Sequence, residues 1–397
     1  MTPDGTVHIE LYHRAGQASG ARIASTRPDI APLVLLGKTP EQILDIVPLL
    51  FTLCGNAQAC VALLTCRAAL GMTAEPESDA ARDLLVQLET LREHAWRILL
   101  DWPGLIGLPP DKKALAALLK FDALFKRHLF RHGEAYKLDS CLDIDAVQLT
   151  QLTAELEALI DAAIFNGRLA DFRTLACETQ LCDWLSQNEA LPACLLNDLY
   201  NRNWTAIGQN EVDCLPELEA DALNRQMQQE DLAAFCRAPH WQGRCFETTP
   251  LTRQRSHPLI AGLQHHYGNG LMVRFVARLL EVAAIPLRLS RGIEQKPAPA
   301  IVSSTGGIGL AQLQAARGLL IHRLELRHGR VYDYRIAAPT EWNFHPEGVV
   351  AQGLKHLKAE GPNDLRRQAE LLINSVDPCV LYNLKLTDSD NKAEAHA

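Results

Sequence analysis

Long stretches of this chain place apolar residues three and four positions apart, the period of a helix that buries one side. Only short stretches near residues 10 and 325 carry the two-residue alternation of a strand. Ala80–Leu100 is the clearest helical stretch, with Leu84, Leu85, Leu88, Leu91 and Trp96 at helical spacing, and Leu115–Leu129, Val147–Ala163 and Leu271–Ala284 read the same way. Thr39-Pro40-Glu41-Gln42 supplies an N-cap, a proline at the first helical position and a glutamine at the third, so a helix starts there and Pro48 is expected to interrupt it. A second helix is predicted from about Gly55 to Leu70, stopped by Gly71. Asn363 or Asp364 caps a helix running to about Asn374, with Pro378 just after. The alternating stretches predict two hairpins, Val7–Tyr12 with Ala21–Ser25, and Leu319–Leu326 with Arg330–Ile336 around His328-Gly329. Asp171–Glu230 is the least periodic segment and reads as loops or an inserted subregion. The expected fold is α+β, mostly helical, with small β-hairpins. It forms a single domain over 1–387, with 171–230 as a divergent subregion and 388–397 as a polar, flexible tail.

A formal charge of −8 argues against nucleic acid, which needs a basic face. The most apolar run, Val47–Leu64, contains Pro48, Asn56 and Gln58, so no membrane span is expected. Met1–Gly5 has neither the basic start nor the apolar stretch of a secretory signal. Eleven cysteines with no CxxC pair then read as reduced thiols of a cytoplasmic protein, most of them small buried hydrophobes.

Three patterns could carry chemistry. Cys54 opens the helix that begins Cys54-Gly55-Asn56-Ala57-Gln58. A thiol there faces unpaired backbone N–H groups and the positive end of the helix dipole, which favour the metal-binding thiolate; the alternative is a thiol packed in the core. Cys60 lies roughly 240° further around the helix and should not share its site. Asp377-Pro378-Cys379 follows a helix end, where the proline stops the helix and projects Cys379 from a rigid bend, or merely buries it. Arg317-Gly318 precedes an apolar strand, where an arginine either points its guanidinium into a cavity toward an anion or stays solvated.

Taken in order, these segments resemble the large subunit of nickel–iron hydrogenases. That family carries an N-terminal R-x-C-G-x-C-x-x-x-H motif and a C-terminal D-P-C-x-x-C-x-x-H motif. Their four cysteines hold nickel and an iron bearing two cyanides and one carbon monoxide. Here the first motif reads Thr52-Leu53-Cys54-Gly55-Asn56-Ala57 with Val61 at the histidine position, and the second Asp377-Pro378-Cys379-Val380-Leu381-Tyr382 with Lys385 there. Gln314-Ala315-Ala316-Arg317-Gly318-Leu319-Leu320 resembles the family's E-A-P-R-G-A-L, and Glu247-Thr248-Thr249-Pro250-Leu251-Thr252-Arg253 its E-T-G-P-L-A-R. Gly329–Tyr334 continuing to Pro339-Thr340-Glu341-Trp342-Asn343 resembles its G-x-I-x-x-Y and P-T-x-W-N tracts.

The departures narrow the resemblance. In each motif the terminal nickel ligand survives, as Cys54 and Cys379, while the bridging cysteine is replaced by Ala57 and Tyr382. Positions associated with the family's buried magnesium read Pro32 and Lys385, and its R-I-E-G-H segment has no counterpart before Val7. The chain thus looks like the hydrogenase expression/formation proteins of the HupK/HoxV type, which resemble the large subunit without being hydrogenases. That resemblance implies a non-catalytic scaffold holding a transient Fe(CN)2CO fragment on Cys54 and Cys379, with no nickel. Arg317 would donate to a cyanide nitrogen, and Asp377 would orient that guanidinium or the Cys379 turn. The implied partners are a HypC-type chaperone, iron–cyanide assembly proteins and the hydrogenase large-subunit precursor. Two other readings stay open: a metal-free large-subunit mimic that acts as an assembly chaperone, and a divergent metalloenzyme.

Overall fold

A computed structural model describes residues 5–292 and 301–389. Helices make most of it, and two small sheets flank them. The first predicted hairpin is present as β1 (Thr6–Arg14) and β2 (Gln17–Ser25), antiparallel, with Val7, Ile9 and Leu11 of β1 buried at the expected period of two. A third strand completes this sheet. It is β7 (Leu381–Asp388), parallel to β1 with Val7 opposite Tyr382 and Glu10 opposite Lys385. The sequence reading held no strand there and placed Asp388 in a flexible tail. Asp388 instead pairs with His13, and Ser389 N–H donates to His13 O at 2.9 Å; residues 390–397 of that tail lie outside the described residues.

The second sheet has four strands in sequential antiparallel order, β3 (Ile301–Thr305), β4 (Ile308–Ala315), β5 (Gly318–Arg327) and β6 (Arg330–Ala337), of which only β5 and β6 were predicted. It lies on the Gly55–Ala69 helix so closely that a Cβ on Gly309 would sit 2.1 Å from Thr65 O. That contact needs a glycine.

The Leu271–Ser290 helix runs through the main core, buried along nearly all its length from Leu271 to Leu289. A helix buried along nearly its whole length belongs at the centre, and here the Pro76–Trp96, Ala146–Ile160, Pro258–Tyr267 and Pro362–Val376 helices pack around it, while its buried Arg274 and Glu281 are paired with Glu247 and Arg253. Phe275 meets Trp102 edge-on at 4.9 Å between ring centres.

Four helical expectations need correction. Pro48 does not interrupt its helix but sits in the last turn of Pro40–Leu50, and the capping box at Thr39 and Gln42 is formed as read. Leu115–Leu129 is two helices, Lys112–Leu118 and Phe121–Leu129, because the chain turns at Leu119-Lys120. Neither Asn363 nor Asp364 caps the last helix, which starts at Pro362 after Gly361. Asp171–Glu230 is not mainly loop. It holds the helices Glu178–Ser186, Leu191–Asn201 and Ala220–Gln229, whose Trp184, Leu195, Leu196 and Leu199 join the main core. Among the described residues no helix is long and apolar enough to cross a membrane.

Candidate functional site

Cys54 closes a short 3-10 turn, Thr52–Cys54, and precedes the Gly55–Ala69 helix. The expectation was that this helix start would expose free N–H groups to the thiol. It does not. Glu89 of the Pro76–Trp96 helix takes them, accepting from Asn56 N–H at 2.7 Å and Ala57 N–H at 3.0 Å. A buried carboxylate on a helix N-terminus satisfies the orphan donors and leaves a negative group beside the sulfur. Burial, then Glu89, then Cys379 push the Cys54 thiol up to about 12, against Arg27 and a Gln58 amide N–H donated to Sγ at 3.7 Å. The thiolate that the helix position suggested is therefore disfavoured in the protein as it stands. Glu89 itself is pushed up to about 7 by burial, which outweighs Arg92 and the two N–H donors.

Cys379 arrives from the other end of the sequence. The Pro362–Val376 helix ends where Asp377 takes φ +70°, a left-handed conformation that breaks the helix before Pro378 is reached. Arg278, on the central helix, donates to the carbonyls of Asn374 and Ser375 at the helix end, both at 3.1 Å. Cys379 is then fixed by Thr340, whose hydroxyl accepts from Cys379 N–H at 3.1 Å and donates to Sγ at 2.8 Å. Arg27, just past the end of β2, donates through Nη1 to the same sulfur at 3.5 Å.

Arg317 occupies the two-residue turn between β4 and β5. The turn depends on Gly318, at φ +130°, where a Cβ would fall 1.8 Å from Thr248 O. Asn343 Nδ2 donates to Arg317 O at 3.0 Å while its Oδ1 accepts from Thr248 N–H at 2.8 Å, so the 247–253 and 339–343 motifs brace this turn. The guanidinium is buried and faces carboxylates, with Nη1 donating to Glu93 at 3.1 Å and Nε 3.3 Å from Asp377. Asp377 also lies 2.7 Å from Arg97 Nε and 3.7 Å from Arg278 Nη2. Burial alone would raise its carboxyl pKa. Arg317, Arg97 and Arg278 outweigh that and hold it below the usual carboxylate range.

The four residues singled out in the sequence are thus neighbours. Cys54 and Cys379 feel each other's charge, and both sulfurs act on Arg27 and on Arg317. Among the described residues no group of three or more His, Cys, Asp or Glu could hold a metal, so the soft donors of this site are two thiols. A cavity of about 120 Å³ opens beside Arg27, lined also by Ser25, Phe51 and Glu341. A larger apolar cleft of about 670 Å³, beside Met72, Val302 and Leu313, touches none of the four. The sequence reading missed Arg27, Gln58, Glu89, Glu93, Arg97 and Arg278 as members of the site. Thr340 stood inside a recognised motif and could have been found. Arg27 carried no signal, because only the folded hairpin brings it to Cys379.

No family model matches the chain. It is 32% identical to the hydrogenase expression/formation protein HoxV of Cupriavidus necator, over 96% of each chain. It is 29% identical to HupV of Azotobacter chroococcum, over 96% of this chain and 98% of that one, and 28% identical to HupK of Azotobacter vinelandii over the same shares. Its fold matches the Ni-Fe-Se hydrogenase of D. vulgaris Hildenborough with a TM-score of 0.64 at 15% identity, over 92% of this chain and 94% of that chain. The enzyme of Desulfomicrobium baculatum matches equally, at 14% identity over 93% and 95%.

Proposed function

The chain belongs to the family of the hydrogenase expression/formation proteins HoxV, HupV and HupK, and from that premise we propose that it serves hydrogenase maturation as a non-catalytic scaffold. Its cargo is the Fe(CN)2CO fragment, held between Cys54 and Cys379 and passed to the large-subunit precursor. One observation carries this reading: two cysteines more than three hundred positions apart lie near enough to interact electrostatically with each other and with the same two arginines, Arg27 and Arg317. The residues fit such a cargo. Low-spin iron suits soft thiolates, and cyanide nitrogens accept hydrogen bonds that guanidinium groups supply. Two thiols are too few for a stable binuclear centre, and Ala57 and Tyr382 provide no bridging sulfur. That ligand count suits a fragment that must leave again. A HypC-type chaperone and iron–cyanide assembly proteins would bring the fragment, and the site is expected to take no nickel.

Infrared spectra of the protein, purified anaerobically after co-expression with the accessory proteins, test the reading. Cyanide and carbonyl stretches should be present, and should vanish in Cys54→Ser and in Cys379→Ser. A silent infrared window in the unmodified protein would overturn it. One set of contacts favours a second reading, a metal-free mimic of the large subunit. Both sulfurs already have protein donors, Gln58 on Cys54 and Thr340 on Cys379, and Arg317 is met by Glu93 and Asp377. The same spectra decide between the two.

A further inference from the structure

We propose that Arg27 selects what the two cysteines accept: its fixed positive charge, seated against the sulfurs, admits a metal that carries its own anionic ligands and turns away a bare divalent cation. The inference rests on the reading that Cys54 and Cys379 hold metal, and it adds a residue that no motif assigns.

The argument begins with position. Arg27 Nη1 touches Cys379 Sγ at 3.5 Å, and Cys54 and Cys379 both act on the guanidinium electrostatically. Its plane lies over the Phe51 ring, 5.6 Å from the ring centre, and Phe51 sits directly before the turn that carries Cys54. The side chain is therefore packed in place and does not sweep through solvent. The carboxylate facing it is Glu341, on the Pro339–Asn343 helix, which acts on the guanidinium electrostatically. Arg317 differs here, because two carboxylates, Glu93 and Asp377, neutralise it directly.

An uncoordinated Ni2+ drawn to the thiols must displace their protons and then sit within a few ångströms of a guanidinium that cannot lose its charge. Like charges at that range, partly removed from water, disfavour binding strongly. An iron fragment bearing two cyanides has no net charge of its own, and each cyanide nitrogen accepts the N–H groups that repel a bare cation. The same side chain thus opposes one class of ligand and receives the other, which is how specificity is obtained by repulsion as well as attraction.

Bare Ni2+ is the probe. The full-length reduced protein is titrated anaerobically with nickel, reading sulfur-to-nickel charge-transfer absorption and the nickel retained after desalting. Arg27→Gln should bind nickel at least tenfold more tightly than the unmodified protein, with the absorption lost when Cys54→Ser or Cys379→Ser is added. Arg27→Lys keeps the charge and should behave as the unmodified protein does. Arg27→Met is a second charge-free variant, of similar length, should Arg27→Gln fold poorly. Nickel bound through these cysteines as tightly by the unmodified protein as by the charge-free variants would overturn the inference. So would charge-free variants that still refuse it. Failure of the scaffold reading looks different: no infrared cyanide or carbonyl bands in the co-expressed protein, with the nickel comparison still coming out as stated.

Discussion

His322 Nε2 lies 2.9 Å from Gln58 Oε1, and because an amide oxygen only accepts, that ring nitrogen carries the hydrogen. Nδ1 is then the acceptor for the Tyr334 hydroxyl at 2.7 Å. The Gln58 amide is fixed in turn, with its N–H facing Cys54 Sγ at 3.7 Å. A buried line of hydrogen bonds thus runs from the second sheet to a candidate ligand, and each member sets the orientation of the next.

Acid should weaken the fold through this line. Burial, and then Arg27, push His322 down to about 3, so the folded protein keeps it neutral while an unfolded chain protonates it near its ordinary value of about 6.5. A group with a lowered folded pKa that is neutral when deprotonated contributes stability that is complete above about pH 6.5 and lost progressively as pH falls toward 3. Denaturant melts from pH 7.5 to 4.5 should show that decline. His322→Gln should be less stable at pH 7.5 yet lose less on acidification. Equal slopes for the two proteins would show that His322 is not held neutral.

Gly318→Ala should be severely destabilising, by about 3 kcal/mol or more, because the positive φ and the approach of Thr248 O both exclude a side chain. Gly71→Ala is the control. It too has positive φ, +67°, but open space around it, and should cost only about 1 kcal/mol. Urea unfolding of the pair separates crowding from backbone strain.

Cysteine reactivity should invert what the helix position suggests. With Cys54 half-buried and its thiol pushed up to about 12, brief iodoacetamide treatment at pH 8 should label the exposed Cys141, Cys177 and Cys182 first and leave Cys54 free. Peptide mapping by mass spectrometry reads this directly. Labelling of Cys54 at the rate of the exposed thiols would mean that the helix dipole prevails over burial and Glu89.

In cells, Cys54→Ser and Cys379→Ser should each abolish hydrogenase maturation while the purified variants keep the unmodified protein's circular dichroism. Cys60, buried where the Gly55–Ala69 helix meets the second sheet and bordering the apolar cleft, is expected to tolerate serine with some loss of stability and no loss of maturation. Maturation lost with Cys60→Ser and kept with Cys54→Ser would mean that the motif alignment has the wrong register on that helix.

What could be read in advance follows the range of each interaction. The Thr39 capping box, the start of the Gly55–Ala69 helix and both hairpin turns are fixed by residues a few positions apart, and these stood in the sequence. Strand β7 was passed over although Tyr382, Leu384 and Leu386 alternate with the more exposed Asn383 and Lys385; the partner that pairs with it, β1, lies at the other end of the chain. The helices within 171–230 are short, and Pro192 and the loop after Asn201 break their period. At the site, the cysteines, Arg317 and Asp377 were visible as motifs. Glu89 on the helix end and Arg27 on Cys379 were not, since each contact joins elements distant in the chain, and burial together with the first of them reversed the expected state of Cys54.

The pairing of β1 with β7 also sets a clock. During synthesis Cys54 leaves the ribosome well before Cys379, by about 15–65 s at ordinary elongation rates. Throughout that interval the middle strand of the first sheet has one bare edge, and the pocket has one sulfur. Nascent chains therefore hold only one of the two cysteines, and on the proposed scaffold reading loading would wait until translation has passed the last strand. Any assembly partner that engages the chain earlier meets Cys54 alone.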